Sequence, residues 1–469
     1  MSKPNVIFQS ITLRNAETVR ANLFKLREQT RPDTITVLAQ IVKCIPPKII
    51  DPLAKKHKIQ TRAFSPTSHV VTLLYGHLAH SLSLNDICDS LQHHAGMLSQ
   101  IRRCTPPTRN GLSYANRTRN ADMAEELFWC VYNDLKNGYP AFFTSSRSYP
   151  GLPHRIKRTL MAFDSTTIQL TADSLDWAKH RRRKAAAKMH TGLNMQSFLP
   201  GVLIVKSAKD SDPKTAPELC AGLLPGEIAV FDKAYVDFKH LHNLDARGVF
   251  WVTRKKENMV YEVMGQQTIS PEETSFTSTQ KVMGQHRKST LKSVRKKRPY
   301  IRKKIRIISD ERIRLTIAKT AAYYPKELRL VTAEVEVKKK MTRMEFITNN
   351  FDWSPVTVCE LYRARWGIEV FFKELKQTLQ LSDFMGYNEN AVRWQIWTGL
   401  LAYLLLRFIS WKNLWKHTFS RLYTLIRGVL LNFFDLTSVI LCCDTMGRRG
   451  RNRIRGAPEK AYQMFFDFA

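Results

Sequence analysis

A chain of 469 residues, 43% hydrophobic and 24% charged, is too long for one ordinary core and too apolar for extensive disorder, so two to four folded units are expected. Its 74 lysines and arginines against 40 acids leave a formal charge of +34, which points to a large polyanion bound through neutralised phosphates and released counterions, with plain solubilising charge as the bland alternative. Eight cysteines without a CxxC pair or a CxxC and HxxxH combination exclude a zinc-finger framework and a disulfide scaffold, and suit reduced thiols in the cytoplasm.

The N-terminus, MSKPNVIFQS, lacks the basic-then-apolar pattern of a secretion signal. Residues 1 to about 145 read as short helices, with Leu73, Leu74, Leu78, Leu82 and Leu84 at helical spacing and a second segment from Leu112 to Leu135. That segment opens with Tyr114, Asn116, Arg117, Arg119 and Asn120, residue types that touch phosphates and base edges when a helix enters a groove. Residues 1–145 are therefore expected to be a helical DNA-binding region with Arg117 and Arg119 as contacts, although a solvated helix face has the same composition.

From Arg158 the pattern turns to strands. RTLMAFDSTTIQL, FLPGVLIVKSA and GEIAVFDKAY are apolar runs, FKHLHNLDAR reads as a helix and GVFWVTRK as a fourth strand, and this alternation implies a mixed or parallel α/β sheet. Residues 256–345 interrupt it with a tract from Lys281 to Arg306 that holds no acid, followed by strand-like stretches. Arg295, Lys296, Lys297 and Arg298 in that tract are candidate DNA contacts, with a solvated loop as the alternative. PVTVCELYRARWGIEVFFKELKQTLQL is strongly helical, and helices are expected to continue to Asp444 before the basic segment GRRGRNRIRG. The longest apolar run, Ile396 to Leu406, is broken by Arg407 well short of the roughly 20 residues that span a bilayer, so it reads as a buried helix and not as a membrane anchor.

In-line attack on a phosphodiester by water or a 3′-hydroxyl calls for two divalent ions, and carboxylates are the natural protein ligands of Mg²⁺. Asp164 follows the run Leu160 to Phe163, and Asp232 follows Ile228 to Phe231. An acid against a strand of that kind is costly unless ligands or hydrogen bonds satisfy it, yet either one taken singly also suits a turn at a strand end. Asp173, Asp176, Asp210, Asp212 and Asp237 stand in more polar surroundings and read as ordinary surface acids.

Tyr362, Arg365, Glu369 and Lys376 are three, four and seven positions apart, which places them within roughly 60° of one another on a helix. Leu361, Ile368, Phe371, Phe372, Leu375 and Leu379 form the adjoining apolar stripe that can anchor this helix on a sheet. Glu369 can then complete a metal site supplied by the strands, Arg365 and Lys376 can grip phosphate, and Tyr362 can hydrogen-bond or stack beside it. His190 reads as a structural histidine, and Trp251 and Trp353 read as core residues before they read as platforms for an unpaired base.

The Tyr362, Arg365, Glu369, Lys376 spacing resembles the signature of the insertion-sequence-4 family of bacterial transposases. Asp164 in Phe163-Asp164-Ser165-Thr166 and Asp232 in Phe231-Asp232-Lys233-Ala234-Tyr235 look like that family's two catalytic aspartates. The resemblance covers roughly residues 155 to 385. It implies a ribonuclease-H-like catalytic core of residues 155–255 and 346–395, interrupted by a β-rich insertion at 256–345, preceded by the helical region and followed by a helical tail at 396–469. It also implies that Asp164, Asp232 and Glu369 bind two Mg²⁺ ions, replaceable by Mn²⁺, and that the protein cuts double-stranded DNA at terminal inverted repeats and joins it to target DNA through a hairpin intermediate. A homodimer holding two ends, in the bacterial cytoplasm among the nucleoid DNA, follows from the same resemblance. One departure is the Lys233 and Ala234 pair, where the family often has Arg and Gly, so a glycine-specific backbone cannot be assumed. A structure-specific nuclease on the same scaffold, and a non-catalytic DNA-binding derivative, are the alternatives.

Overall fold

The structure, a computed structural model, describes residues 31–60, 63–144, 156–170, 179–181, 184–207, 212–269, 275–281, 300–337, 340–379, 386 and 388–442. They divide into a helical unit, drawn from both ends of the chain, and a sheet-based unit between them.

The helical unit begins with α1 (Val37–Val42), α2 (Ile50–Lys56), α3 (Pro66–Ala79), α4 (Leu84–His93), α5 (Ala95–Ser99), α6 (Arg109–Thr118) and the start of α7 (Asp122–Gly138). Hydroxyl side chains set several of these starts. Thr36, Ser65, Ser83 and Thr108 each accept a hydrogen bond from the backbone N–H three residues on, and Ser83 and Asp86 make a reciprocal capping box. The core of α3 is buried on nearly every side, and so is the run Leu400 to Leu406 within the helix Glu389–Lys412. Among the described residues no helix is long and apolar enough to cross a membrane. Backbone hydrogen bonds from Asp33 to Phe433 (2.9 Å) and from Leu38 to Leu430 (2.8 Å) join the two ends of the chain. Gln40 adds a bond in each direction, donating to the Phe434 carbonyl at 2.7 Å and accepting from the Leu436 N–H at 2.8 Å. Of the periodic leucines, Leu82 is exposed, at the turn between α3 and α4.

His69 on α3 lies wholly inside this unit, its Nε2 2.8 Å from Asn116 Oδ1 and its ring 4.4 Å from that of Trp394. Burial pushes its pKa down to about 3, with the Asn116 hydrogen bond opposing and the Arg119 charge reinforcing the shift. A histidine that stays neutral when folded but titrates near 6.5 when unfolded contributes stability that is complete above about pH 6.5 and is lost as the pH falls toward 3. Between pH 7 and 4.5 the wild type should therefore lose on the order of 2.5 kcal/mol more than a His69→Gln variant in urea unfolding followed by tryptophan fluorescence. Parallel losses in the two proteins would refute this.

The second unit holds one mixed sheet of eleven strands: β1 (Leu160–Leu170), β2 (Lys179–Arg181), β3 (Lys184–Asn194), β4 (Leu199–Ser207), β5 (Ile228–Phe231), β6 (Phe250–Arg254), β7 (Tyr261–Gln266), β8 (Ser275–Lys281), β9 (Tyr300–Leu315), β10 (Leu328–Val337) and β11 (Lys340–Thr348). Its main path runs β2-β3-β1-β5-β6-β11-β10-β9-β7, with β4 on β3 and β8 on β9. β1, β5 and β6 are parallel, and the other pairings are antiparallel. The strand-rich stretch after residue 255 thus continues the sheet, because β11 takes the free edge of β6.

The helices of this unit are α8 (Pro140–Thr144), α9 (Asp212–Leu219), α10 (Phe238–Ala246), α11 (Ala318–Tyr323), α12 (Pro355–Ala364) and α13 (Trp366–Lys373). One face of the parallel strands buries Phe163 and Phe231, stacked at 5.1 Å, in a core shared with Leu219, Leu241, Trp251, Ile313 and Tyr324. α12 packs on β5 and β6 and α13 on β1, with the expected stripe from Leu361 to Leu379 buried. Arg329 of β10, 1% exposed, gives two bonds to the Asp310 carboxylate (2.8 and 2.6 Å) and others to the carbonyls of Asn350 and Trp353, fixing the loop that leads into α12.

Candidate active site

The last parallel pair of β1 and β5 is Phe163 with Phe231. Asp164 and Asp232 are the next residues, so both acids stand where the parallel pairing of the two strands stops. Side chains alternate across a strand, so with the two phenylalanines in the core the acids belong to the other face. Carboxyl ends of parallel strands are the usual place for a ligand in such a sheet. β1 itself runs on to Leu170, held by β3 alone, so Asp164 stands within a strand rather than at its end.

The chain stays helical from α12 through Arg365 into α13 and ends in a π-helical turn, Glu374–Thr378. Arg365, with a side chain 4% exposed, sends Nη1 to Asp164 Oδ2 at 2.7 Å and Nη2 to Glu369 Oε1 at 2.9 Å. Its guanidinium carbon lies 5.6 Å from the centre of the Tyr362 ring, and the Tyr362 hydroxyl donates to Asp232 Oδ1 at 3.4 Å. Lys376, in the π turn, donates to the Thr167 carbonyl of β1 at 2.6 Å. Asp164, Asp232, Glu369, Tyr362, Arg365 and Lys376 are thereby brought to one place from β1, β5 and the helix. Arg365, expected to grip phosphate, ties Asp164 to Glu369.

Charge explains that arrangement. Burial pushes Asp164 up to about 6, and the negative charge of Asp232 adds to it, while Arg365 and the Ser165 N–H pull the other way. Glu369 is pushed up to about 7, again by burial first, with Asp164 and Asp232 adding to the rise and Arg365 offsetting it. Burial lifts Tyr362 to about 12, which keeps its hydroxyl a donor. Against its own desolvation, Arg365 is raised above its ordinary value by the surrounding negative charge of Asp164, Asp232 and Glu369. Desolvated carboxylates that repel one another favour a cation among them. Three oxygen donors with no adjacent thiol suit a hard divalent ion. Among the described residues no three acidic, histidine or cysteine side chains stand close enough to form a ready-made metal cage, and Arg365 spans the gap between two of the acids.

Lys233, Ala234 and Tyr235 form one 3₁₀ turn with no left-handed backbone, so alanine is unstrained at the position where glycine was in question. Asp237 caps α10 by accepting from His240 N at 2.9 Å. Trp251 is in the core, and Trp353 packs edge-on against Phe250 at 5.4 Å. His190 is buried with Nδ1 3.2 Å from the Tyr235 hydroxyl. Asp212, read from sequence as an ordinary surface acid, stands beside the site, bonded to Ser165 at 2.8 Å. No linear signal ties Asp212 to Asp164; only the packing of α9 on the sheet does.

In the helical unit, Arg117 is exposed on α6 beside the exposed Tyr114, its guanidinium 5.9 Å from that ring. Arg119 is half-buried and donates to the carbonyls of Ser65 (3.3 Å) and Phe64. Arg295, Lys296, Lys297, Arg298, Asp173, Asp176, Asp210 and the basic segment after Asp444 lie outside the described residues.

Residues 155–405, which include Asp164, Asp232 and Glu369, match the family described as Transposase DDE domain, and residues 33–101 match a domain of unknown function, DUF4372. The chain is similar to the Putative transposase y4zB of Sinorhizobium fredii, 29% identical over 255 residues that cover 54% of this chain and 62% of that protein. It is similar to the Probable transposase for insertion sequence element IS5377 of Geobacillus stearothermophilus, 26% identical over 54% of this chain and 58% of that protein. The Transposase for insertion sequence element IS231E of Bacillus thuringiensis is 24% identical over 43% of this chain and 45% of its own length. The chain spans between about half and three fifths of the length of these curated relatives.

Proposed function

The chain belongs to the Transposase DDE domain family, and from that premise we propose that it is the transposase of a bacterial insertion sequence, cutting DNA at the element's terminal inverted repeats and joining the freed ends to target DNA. The observation that carries this reading is the meeting of Asp164, Asp232 and Glu369 around Arg365 from three separate segments of the chain. We read β1, β3, β4, β5 and β6 with their helices as a ribonuclease-H-like core and β7 to β11 as its insertion.

Asp164, Asp232 and Glu369 would hold two divalent ions, Mg²⁺ with Mn²⁺ able to substitute, which when bound activate the attacking oxygen and stabilise the leaving one. The chain's own part is positional. The two aspartates are fixed by the end of the β1 and β5 pairing, and Glu369 by the buried face of α13. Arg365 and Lys376 keep the helix on β1 and carry positive charge to where a phosphate must sit. Water would open the phosphodiester at the element end, leaving a 3′-hydroxyl on the element and a 5′-phosphate on the flank; that hydroxyl would attack the phosphodiester of the opposite strand, closing a hairpin and releasing the flank's 3′-hydroxyl. Water would reopen the hairpin to give back the element's 3′-hydroxyl and a 5′-phosphate, and the hydroxyl would then attack a target phosphodiester, releasing a target 3′-hydroxyl. The exposed face of α6, with Arg109, Tyr114 and Arg117, would meet duplex DNA, together with Arg295, Lys296, Lys297 and Arg298. A homodimer would hold both ends, and the protein would work in the bacterial cytoplasm on nucleoid DNA.

Incubation of the protein with end-labelled terminal-repeat DNA, target plasmid and Mg²⁺ should yield nicked, hairpin and joined products. Cleavage without joining would favour a structure-specific nuclease, and binding without nicking would favour a non-catalytic DNA-binding protein.

A further inference from the structure

Asp212 begins α9 and points its carboxylate toward the sheet. Its Oδ1 accepts from the Ser165 hydroxyl at 2.8 Å, lies 2.8 Å from Lys188 Nζ and stands 3.4 Å from His190 Nδ1. Lys188 and Asp212 are both largely buried, with side chains 16% and 17% exposed, so their charges meet at a site where neither would be stable alone.

What makes this pair more than a fold support is where its bonds lead. Ser165 follows Asp164 directly, and its backbone N–H donates to Asp164 Oδ1 at 2.8 Å. Ser165 therefore holds Asp164 through its main chain while its side chain is held by Asp212. On the other branch, His190 reaches the Tyr235 hydroxyl at 3.2 Å, and Tyr235 sits on the turn whose N–H bonds the Asp232 carbonyl at 3.0 Å. Asp164 is thus tied to this carboxylate through one intermediary, Ser165, and the main chain of Asp232 through two, His190 and Tyr235. Asp212 is already engaged by a lysine and a hydroxyl, so its task differs from theirs.

We propose that Asp212 is a positioning residue that sets the orientation of Asp164 and the spacing of Asp164 from Asp232, and thereby sets the protein's affinity for divalent metal; the inference rests on the metal-dependent reading given above. Partners that orient metal ligands in this way typically govern affinity by 10- to 100-fold when they are removed. Without Asp212, the Ser165 hydroxyl loses its acceptor, and Asp164, held by the Ser165 main chain, gains freedom.

The test is Mn²⁺ binding to the full chain, read from the loss of the free-ion signal in electron paramagnetic resonance, beside the nicking rate as a function of Mn²⁺. The wild type should bind Mn²⁺, and Asp164→Ala should lose that binding with no recovery of nicking at any metal concentration. Asp212→Ala should bind about 10- to 100-fold more weakly yet recover most of its nicking rate at saturating Mn²⁺. Ser165→Ala, which leaves the Asp212 and Lys188 pair intact, should weaken binding by a smaller factor, and it carries the test if Asp212→Ala does not fold. Wild-type affinity in a folded Asp212→Ala, or in Ser165→Ala should the former not fold, would overturn the positioning role while leaving the metal site standing. Equal loss in Asp212→Ala and Asp164→Ala, without recovery at high Mn²⁺, would overturn it too, by making Asp212 indistinguishable from a ligand. A wild type that takes up no Mn²⁺ would overturn the metal reading and this inference together.

Discussion

Alanine in place of Asp164, Asp232 or Glu369 is expected to lower terminal-repeat nicking by roughly three orders of magnitude or more while changing terminal-repeat binding by less than about twofold. The two quantities separate because they rest on different residues. On the proposed reading, nicking would rest on three carboxylates gathered from β1, the end of β5 and α13, whose oxygens would hold the metal with no neighbour able to replace them. Binding depends on the excess of 74 cationic side chains over 40 acidic ones, of which a single acid is a negligible part. Substitution of Asp237 is the internal control. Its carboxylate caps α10, a task an asparagine also performs, so Asp237→Asn should nick at close to the wild-type rate. Gel-shift titration and denaturing gels on the same DNA give both numbers, and an Asp164→Ala protein that retained a tenth of the wild-type nicking would remove Asp164 from the active site.

The second large effect is expected at Arg365. A phosphate clamp that acted only on the bent hairpin would let Arg365→Ala nick normally and then stall. The geometry favours a different outcome, because the guanidinium spans Asp164 and Glu369 at 2.7 and 2.9 Å in a nearly enclosed position. Its removal leaves two desolvated carboxylates facing each other, already pushed up to about 6 and about 7 with the arginine present. Loss of one partner from a buried ion pair leaves the other uncompensated, and loss of one preorganised charged donor at an active site typically costs about 10²- to 10³-fold in rate. Arg365→Ala should therefore lower nicking and hairpin formation together, by about 10²-fold or more. Arg365→Lys should recover little, since an ammonium has no planar fork with which to hold two carboxylates at once. Lys376→Ala should be milder at the first step, because the bond it is known to give up is a main-chain one, to the Thr167 carbonyl of β1. Normal nicking by Arg365→Ala, with nicked DNA accumulating and no hairpin, would return Arg365 to the role of a phosphate clamp.

Much of the site was legible in the linear chain, for reasons that are local. A run such as Leu160 to Phe163 followed by an acid announces a strand that carries a costly carboxylate, although only the pairing with β3 shows that the strand runs on past Asp164 to Leu170. The spacing of Tyr362, Arg365, Glu369 and Lys376 depends only on the pitch of a helix, and the apolar stripe beside them is buried as its periodicity required. Charge composition and the lack of a membrane-length apolar helix among the described residues are likewise properties that summing over residues reveals. Other features depend on partners far away in sequence. Leu38 and Leu430 meet because two apolar faces, each unable to bury itself, share one core. β11 joins β6 because an open strand edge accepts whichever strand the chain returns to it, and no periodicity names that strand. Arg365 turned toward carboxylates rather than solvent because desolvated acids on β1 and α13 draw the nearest guanidinium, a balance of charge and burial that exists only once the helix lies on the sheet. Asp212 looked like any surface acid until α9 set it against Ser165 and Lys188. Periodicity and spacing determine which face a residue occupies, and only the packing of one element on another decides which charge that face meets.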